Sequence, residues 1–177
     1  AIQVAELATE AGIPEGVFNV LPGRGERVGR LLSLHNDVDC VSFTGSTSVG
    51  RKILQYSAKS NLKKVALECG GKSAFIVLNS CSNIDFAVKV LAKNIFINQG
   101  QTCSAPSRLI IESSIYNIFL DRLLKEVDKY APKNPLDGDS IVGSMVSKDQ
   151  LDLVMKYIET GRLQGAELAT GGEASYP

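Results

Sequence analysis

Apolar residues recur along the chain with two periods, and the switches between those periods divide it into elements. Over residues 1 to 11 the pattern is helical, and Gly12-Ile13-Pro14 ends it, because glycine caps a helix and proline cannot continue one. The run Val17-Phe18-Asn19-Val20-Leu21, stopped by Pro22-Gly23, has the length and punctuation of a short buried strand. A second helix over 25 to 34 places Val28, Leu31, Leu32 and Leu34 along one side. Next come a strand Cys40-Val41-Ser42-Phe43, a turn Thr44-Gly45-Ser46, a helix over 47 to 59, and a strand Lys64-Val65-Ala66-Leu67 that leads to Glu68. Beyond Gly70-Gly71 the pattern predicts a strand Ala74-Phe75-Ile76-Val77-Leu78 and a long helix through Ile84, Val88, Leu91, Ile95 and Phe96, broken at Gly100. A strand Leu109-Ile110-Ile111, an amphipathic helix near 115 to 130, a loop from Pro132 to Gly138 and a helix over 147 to 160 complete the series.

Strands alternating with helices in this way predict parallel sheets covered on both faces, a doubly wound α/β fold. The Gly70-Gly71 pair is the candidate boundary, dividing the chain into 1–69 and 70–177. Ala1 opens on a helix already under way and Ala166 to Gly172 stops as a strand or loop begins, so the chain reads as an internal segment of a longer protein.

Composition narrows the function classes. With 44% apolar and 21% charged residues the chain has the balance of a folded soluble protein. Formal net charge is zero and no block of lysines or arginines occurs, so nucleic acid is not an expected partner. No apolar run is long enough to cross a bilayer, and no membrane partner is expected. The four cysteines, Cys40, Cys69, Cys81 and Cys103, form no C-x-x-C pair, and a single histidine is present. A zinc site or a disulfide framework is therefore not expected, and reduced thiols in the cytoplasm fit the cysteine usage.

Two segments carry candidate chemistry. Phe43-Thr44-Gly45-Ser46-Thr47-Ser48-Val49-Gly50 joins a strand end to a helix start, where backbone N–H groups and the positive end of the helix dipole suit a phosphate. Ser46 and Thr47 add hydroxyls and Gly45 lets the backbone come close, although serine and threonine there also serve as plain N-caps, the commoner case. A second glycine-rich stretch, Pro22 to Gly29, is not a dinucleotide fingerprint, because Val28 stands where the third glycine would fall. Asn98-Gln99-Gly100-Gln101-Thr102-Cys103-Ser104 sets a thiol in a polar break after a long apolar helix, where exposure and a following helix start would favour the thiolate. Cys40 and Cys69 read instead as small buried hydrophobes. His35, in the polar turn His35-Asn36-Asp37, reads as a surface imidazole, so the base serving Cys103 should be a carboxylate. Glu68, at the carboxyl end of a parallel strand, stands at the edge where open α/β sheets place ligands, and burial there would suit a general base.

The turn at 43–50, the segment Leu67-Glu68-Cys69-Gly70-Gly71-Lys72-Ser73 and the segment Asn98 to Cys103, in that order, resemble the aldehyde dehydrogenase family. Gly16 to Gly23 and Ser107-Arg108-Leu109 also match, and the resemblance extends over essentially the whole chain. It implies parts of a cofactor-binding and a catalytic domain, and oxidation of an aldehyde to a carboxylic acid with NAD or NADP. Cys103 would form a thiohemiacetal and then a thioester, with the Cys103 N–H holding part of the oxyanion, and Glu68 would activate the hydrolytic water. Gly45, Ser46 and Val49 match positions around pyrophosphate and adenosine, Thr44 and Gly70 lie on the nicotinamide side, and Gly25 and Gly29 border the adenine. Thr102 and Ser104 flank the nucleophile on the substrate side. The sites of Cys103 and Glu68 are expected to converge on one cleft beside the 44–46 turn.

Cys69 departs from the family, which commonly carries leucine or another apolar residue there. The resemblance also implies groups outside this chain: an oxyanion asparagine and a lysine for the adenosine ribose upstream, and a glutamate for the nicotinamide ribose downstream with an oligomerisation arm. The segment alone is therefore expected to be inactive, and the complete protein to form a homodimer or homotetramer. Two other readings use the same residues: an acyl-transferring relative working with coenzyme A or as a thioesterase, and a non-catalytic protein on the same fold.

Overall fold

Two pairs of short parallel strands, each pair joined through a helical crossover, organise the molecule as an α/β fold. The computed structural model describes residues 1–174 and separates into two units, residues 1–70 and the residues from Gly71 onward.

The first unit contains α1 (Ile2–Glu10), α2 (Val28–Leu34), β1 (Cys40–Thr44), α3 (Thr47–Ala58) and β2 (Lys64–Glu68). Parallel neighbours need a long crossover, and α3 supplies it, so that β1 and β2 run in register from Cys40 opposite Lys64 to Thr44 opposite Glu68. Ile53 of α3 is buried, and around it lies a polar network rather than a wholly apolar core. Lys63, only 6% exposed, donates from Nζ to the Ser33 carbonyl at 2.8 Å and to Ser60 Oγ at 2.7 Å. Ser57 Oγ donates to the Lys63 carbonyl at 2.7 Å. The ammonium thus sits where α2 and α3 end, against the negative ends of both helix dipoles.

The second unit contains β3 (Ala74–Val77), α4 (Ile84–Phe96), β4 (Arg108–Ile111), α5 (Tyr116–Val127) and α6 (Lys148–Leu163). Here α4 is the crossover, and β3 pairs in parallel with β4 from Ala74 opposite Arg108 to Val77 opposite Ile111. The buried residues of α4, Val88, Leu91 and Ala92, follow helical spacing, and Val77, Val88, Leu91 and Phe119 of α5 form one apolar cluster. Side-chain caps start α4 and α6: Asn83 Oδ1 accepts from Phe86 N–H at 3.0 Å, and Ser147 Oγ accepts from Gln150 N–H at 3.2 Å. None of the described helices is long and apolar enough to cross a membrane.

Three elements differ from the sequence expectation. Val17 to Leu21 is not a strand: Val17 N–H returns to the Pro14 carbonyl, Asn19 Nδ2 donates to the Gly16 carbonyl at 2.8 Å, and Val17 stays 70% exposed. An apolar run becomes a strand only where another strand accepts its ladder, and none of the described strands does. Helix α2 begins at Val28 rather than residue 25, and its buried residue is Ser33, with Leu31 and Leu32 exposed. Its packing is set by the Ser33 carbonyl meeting Lys63. The helix expected over 115 to 130 is α5 bracketed by single 3-10 turns at Ser113–Ile115 and Asp128–Tyr130. The last three residues of the 70–177 segment lie outside the described residues.

Candidate functional site

In the first unit the two parallel strands end together. Thr44 closes β1, Glu68 closes β2, and the register pairs them, so both exposed side chains share one face of the sheet. Gly45 N–H donates to the Glu68 carbonyl at 3.0 Å, which ties the turn leaving β1 to the end of β2. The turn then enters α3 through Ser46, whose Oγ accepts from Val49 N–H at 3.3 Å and lies 3.0 Å from Ser48 Oγ. Ser46 therefore caps the helix. Thr44, Gly45, Ser46, Thr47, Ser48 and Val49 are all exposed, so a ligand has access to the hydroxyls and to the positive end of a twelve-residue helix.

Glu68 is exposed, and the burial expected of a general base is not supplied by the described residues. Gly70 is exposed as well. Cys69 points the other way: a Cβ built on Gly50 of α3 would come within 3.1 Å of its sulfur, so the side chain packs on the helix as a small hydrophobe does. Cys40, by contrast, is exposed at the start of β1, against the sequence reading, because Cys40, Ser42 and Thr44 share the outward face of that strand. Gly25 lies in the turn before α2 and Gly29 within it. Beside them Leu21, Pro22, Val28, Leu31, Leu32 and His35 line an apolar cavity of about 310 Å³. His35 is exposed and its Nδ1 accepts from Asp37 N–H at 3.2 Å, the work of a turn residue.

In the second unit Cys103 lies between the end of α4 and the start of β4. Its thiol is exposed, as are Thr102 and Ser104, while Ala105 is buried and anchors the segment. No helix begins just after Cys103; the next regular element is β4, the strand expected at Leu109-Ile110-Ile111, so the condition under which a following helix start would favour the thiolate is not met. Upstream, Asn98, Gln99 and Gly100 adopt φ of 54°, 56° and 71° in succession, a left-handed turn in which Gln99 is the residue that disfavours the conformation, glycine and asparagine entering it more readily. Gly71 lies directly against this segment: a Cβ there would stand 2.8 Å from the Cys103 carbonyl oxygen. The next residues are pinned by Arg108, whose Nε donates to the Lys72 carbonyl at 2.8 Å. Gly71, Gln99 and Gln101 are positions whose contacts sequence reasoning missed, since nothing in local periodicity marks them beyond their place beside the signature residues. Among the described residues no cluster of three or more histidine, cysteine or acidic side chains is arranged to hold a metal.

The whole chain, residues 1–177, matches the model of the Aldehyde dehydrogenase family. An aldehyde dehydrogenase of Emericella nidulans is 47% identical over 173 residues, which are 98% of this chain and 35% of that protein. Among solved structures, gamma-glutamyl-gamma-aminobutyraldehyde dehydrogenase from Burkholderia cenocepacia superposes with a TM-score of 0.92 at 51% identity, covering 97% of this chain and 34% of that one. Indole-3-acetaldehyde dehydrogenase in complex with NAD+ superposes with a TM-score of 0.94 at 45% identity, covering 97% and 35%. The chain thus spans about a third of the length of the relatives it matches.

Proposed function

Because the chain belongs to the aldehyde dehydrogenase family, we propose that the enzyme containing it oxidises an aldehyde to a carboxylic acid with NAD or NADP, using Cys103 as nucleophile and Glu68 as general base. In this reading residues 1–69 are the later half of the dinucleotide-binding domain and residues 70–177 the first part of the catalytic domain. The observation that carries it is the pairing of Thr44 with Glu68, with Gly45 N–H on the Glu68 carbonyl. It joins the candidate cofactor turn and the candidate base at the carboxyl edge of parallel strands, the edge where such sheets bind ligands.

The residues present suit a dinucleotide. The exposed start of α3 offers a helix dipole and the hydroxyls of Ser46 and Thr47 to a pyrophosphate, with Gly45 allowing close approach and Val49 flanking the adenosine. The apolar cavity beside Gly25 and Gly29 has room for a flat purine. Thr44 and Gly70 face the nicotinamide end. The bound cofactor supplies the acceptor for the hydride that leaves the substrate carbon.

The Cys103 thiolate adds to the aldehyde carbon, and the new C–S bond converts the carbonyl to an oxyanion that the Cys103 N–H helps to hold. Thr102 and Ser104, exposed on either side, meet the substrate. Loss of hydride from that carbon leaves a thioester on Cys103. Glu68 then takes a proton from water as the water attacks, the C–S bond breaks, and the acid departs with the thiolate restored. In the same reading the complete enzyme would work in the cytoplasm as a homodimer or homotetramer, and the 177-residue segment, about a third of the length of its relatives, would be inactive alone.

Substitution in a full-length enzyme tests the assignment. Cys103→Ala is expected to abolish aldehyde-dependent NADH formation, and Glu68→Gln to leave a burst of NADH followed by slow turnover. Turnover by the first variant, or loss of the burst in the second, overturns the corresponding role. NADH production by the isolated segment would overturn its inactivity.

A further inference from the structure

The left-handed turn ahead of Cys103 is held from outside by two amide side chains. Asn98 and Gln99 both adopt positive φ, a conformation that persists only where the surroundings enforce it. Gln101 spans the turn and reaches beyond it: its Oε1 accepts from Val146 N–H at 3.2 Å, and its Nε2 donates to the Asn98 carbonyl at 3.3 Å. Gln99, with its amide turned so that both atoms are satisfied, accepts from Gly143 N–H at 3.0 Å and donates to the Asn98 carbonyl at 3.1 Å. Asn98 Nδ2 closes the turn by donating to the Gln101 carbonyl at 3.1 Å. The strap that receives these bonds is itself anchored, since Val142 is buried and its carbonyl accepts from Lys133 N–H at 3.0 Å.

We propose that Gln99 and Gln101 are positioning residues for Cys103, lashing the turn that presents the thiol to the backbone of the 143–146 strap. The proposal rests on the reading of Cys103 as nucleophile. Neither amide reaches the sulfur; each acts by holding the backbone from which Thr102 and Cys103 follow. Without them the turn can relax to a right-handed conformation, which redirects the chain entering Cys103.

The experiment uses a full-length enzyme and the variants Gln101→Ala, Gln99→Ala and Gln101→Glu, the last keeping the oxygen that faces Val146 N–H. Two quantities are read: kcat against KM for the aldehyde, and the rate at which iodoacetamide alkylates Cys103, resolved by peptide mass with exposed Cys40 as internal reference. Either alanine variant is expected to lower kcat by about tenfold, the scale on which sub-ångström misplacement acts, with KM nearly constant, and to change the Cys103 alkylation rate by more than about twofold as the exposed thiol is re-aimed. Cys40 should react at its original rate, and Gln101→Glu should recover more than half of the lost kcat. Rates within about twofold of the unsubstituted enzyme in both alanine variants would overturn the proposal. So would an equal change in the rates of Cys103 and Cys40, which marks general loosening. Alkylation reads the sulfur whatever its part in turnover, so failure of the catalytic assignment, seen as activity in Cys103→Ala, stays distinct from failure of this one.

Discussion

Replacing Gly71 by alanine puts a single methyl group where the structure has a backbone carbonyl. The new Cβ would lie 2.8 Å from the Cys103 oxygen, against 3.4 Å for the closest ordinary contact, so about 0.6 Å must be found. No side chain can rotate out of the way, because the obstructing atom belongs to the main chain. Nor can the Gly71 side give easily, with Lys72 held by Arg108 and Ser73 accepting from Arg108 N–H at 3.2 Å. The Cys103 segment therefore moves, and it carries the sulfur and the N–H assigned to the oxyanion. Overpacking of this kind costs about 1–3 kcal/mol, and a shift of about half an ångström at reacting atoms corresponds to roughly a tenfold loss of kcat. Steady-state kinetics and urea unfolding of the full-length Gly71→Ala enzyme measure both quantities. Gly138→Ala is the control, since a Cβ at Gly138 meets nothing within 4 Å. A Gly71→Ala enzyme with unaltered kcat, or one no less stable than the control, would show that this close approach does not constrain the nucleophile.

Other substitutions probe the remaining supports. Lys63→Met removes the ammonium that serves the Ser33 carbonyl and Ser60 Oγ, leaving the Ser33 carbonyl with the long 3.4 Å contact from Ser60 Oγ, and should cost about 1–3 kcal/mol in urea unfolding. A change near zero would mean that water replaces the lysine. Ser46→Ala deletes the cap of α3 and the hydroxyl proposed for the pyrophosphate, so we expect a loss of about 1 kcal/mol in stability and a several-fold rise in the Kd for NAD; unchanged affinity would exclude Ser46 from the cofactor site. The Asp139 carboxyl is held below its ordinary pKa by the hydrogen bond and charge of Lys133. Its folded value being lowered, the pairing contributes above the unfolded carboxylate pKa and is lost as pH falls through the folded one. Lys133→Met should raise the Asp139 titration midpoint seen by NMR, and no movement would contradict the pairing.

Much of this molecule is legible in local pattern. The helical period over 84–96 and 147–160 marks α4 and α6, the latter running on to Leu163, because an amphipathic stripe and a capping Asn83 or Ser147 are contiguous with the segment they define. The β1, β2, β3 and β4 runs and the signature segments around Thr44, Glu68 and Cys103 are equally contiguous. Local pattern failed where the outcome depended on a distant partner. Val17 to Leu21 has the composition of a strand, but pairing is decided by a neighbouring strand, and the segment closed into turns instead. Leu31 and Leu32 looked like a core face, yet Ser33 is buried because its carbonyl meets Lys63 thirty residues away.

The chemistry divides along the same line. Residue type and spacing were enough to nominate a thiol, a carboxylate and a phosphate-binding turn, since a side chain's reactivity is written in its identity. The backbone around that thiol meets Gly71 at Cys103 and Val146 at Gln101, contacts whose partners lie tens of residues apart in the chain. Such contacts leave no periodic trace, because a hydrogen bond or a close approach depends on distance in space, and only folding brings those positions together.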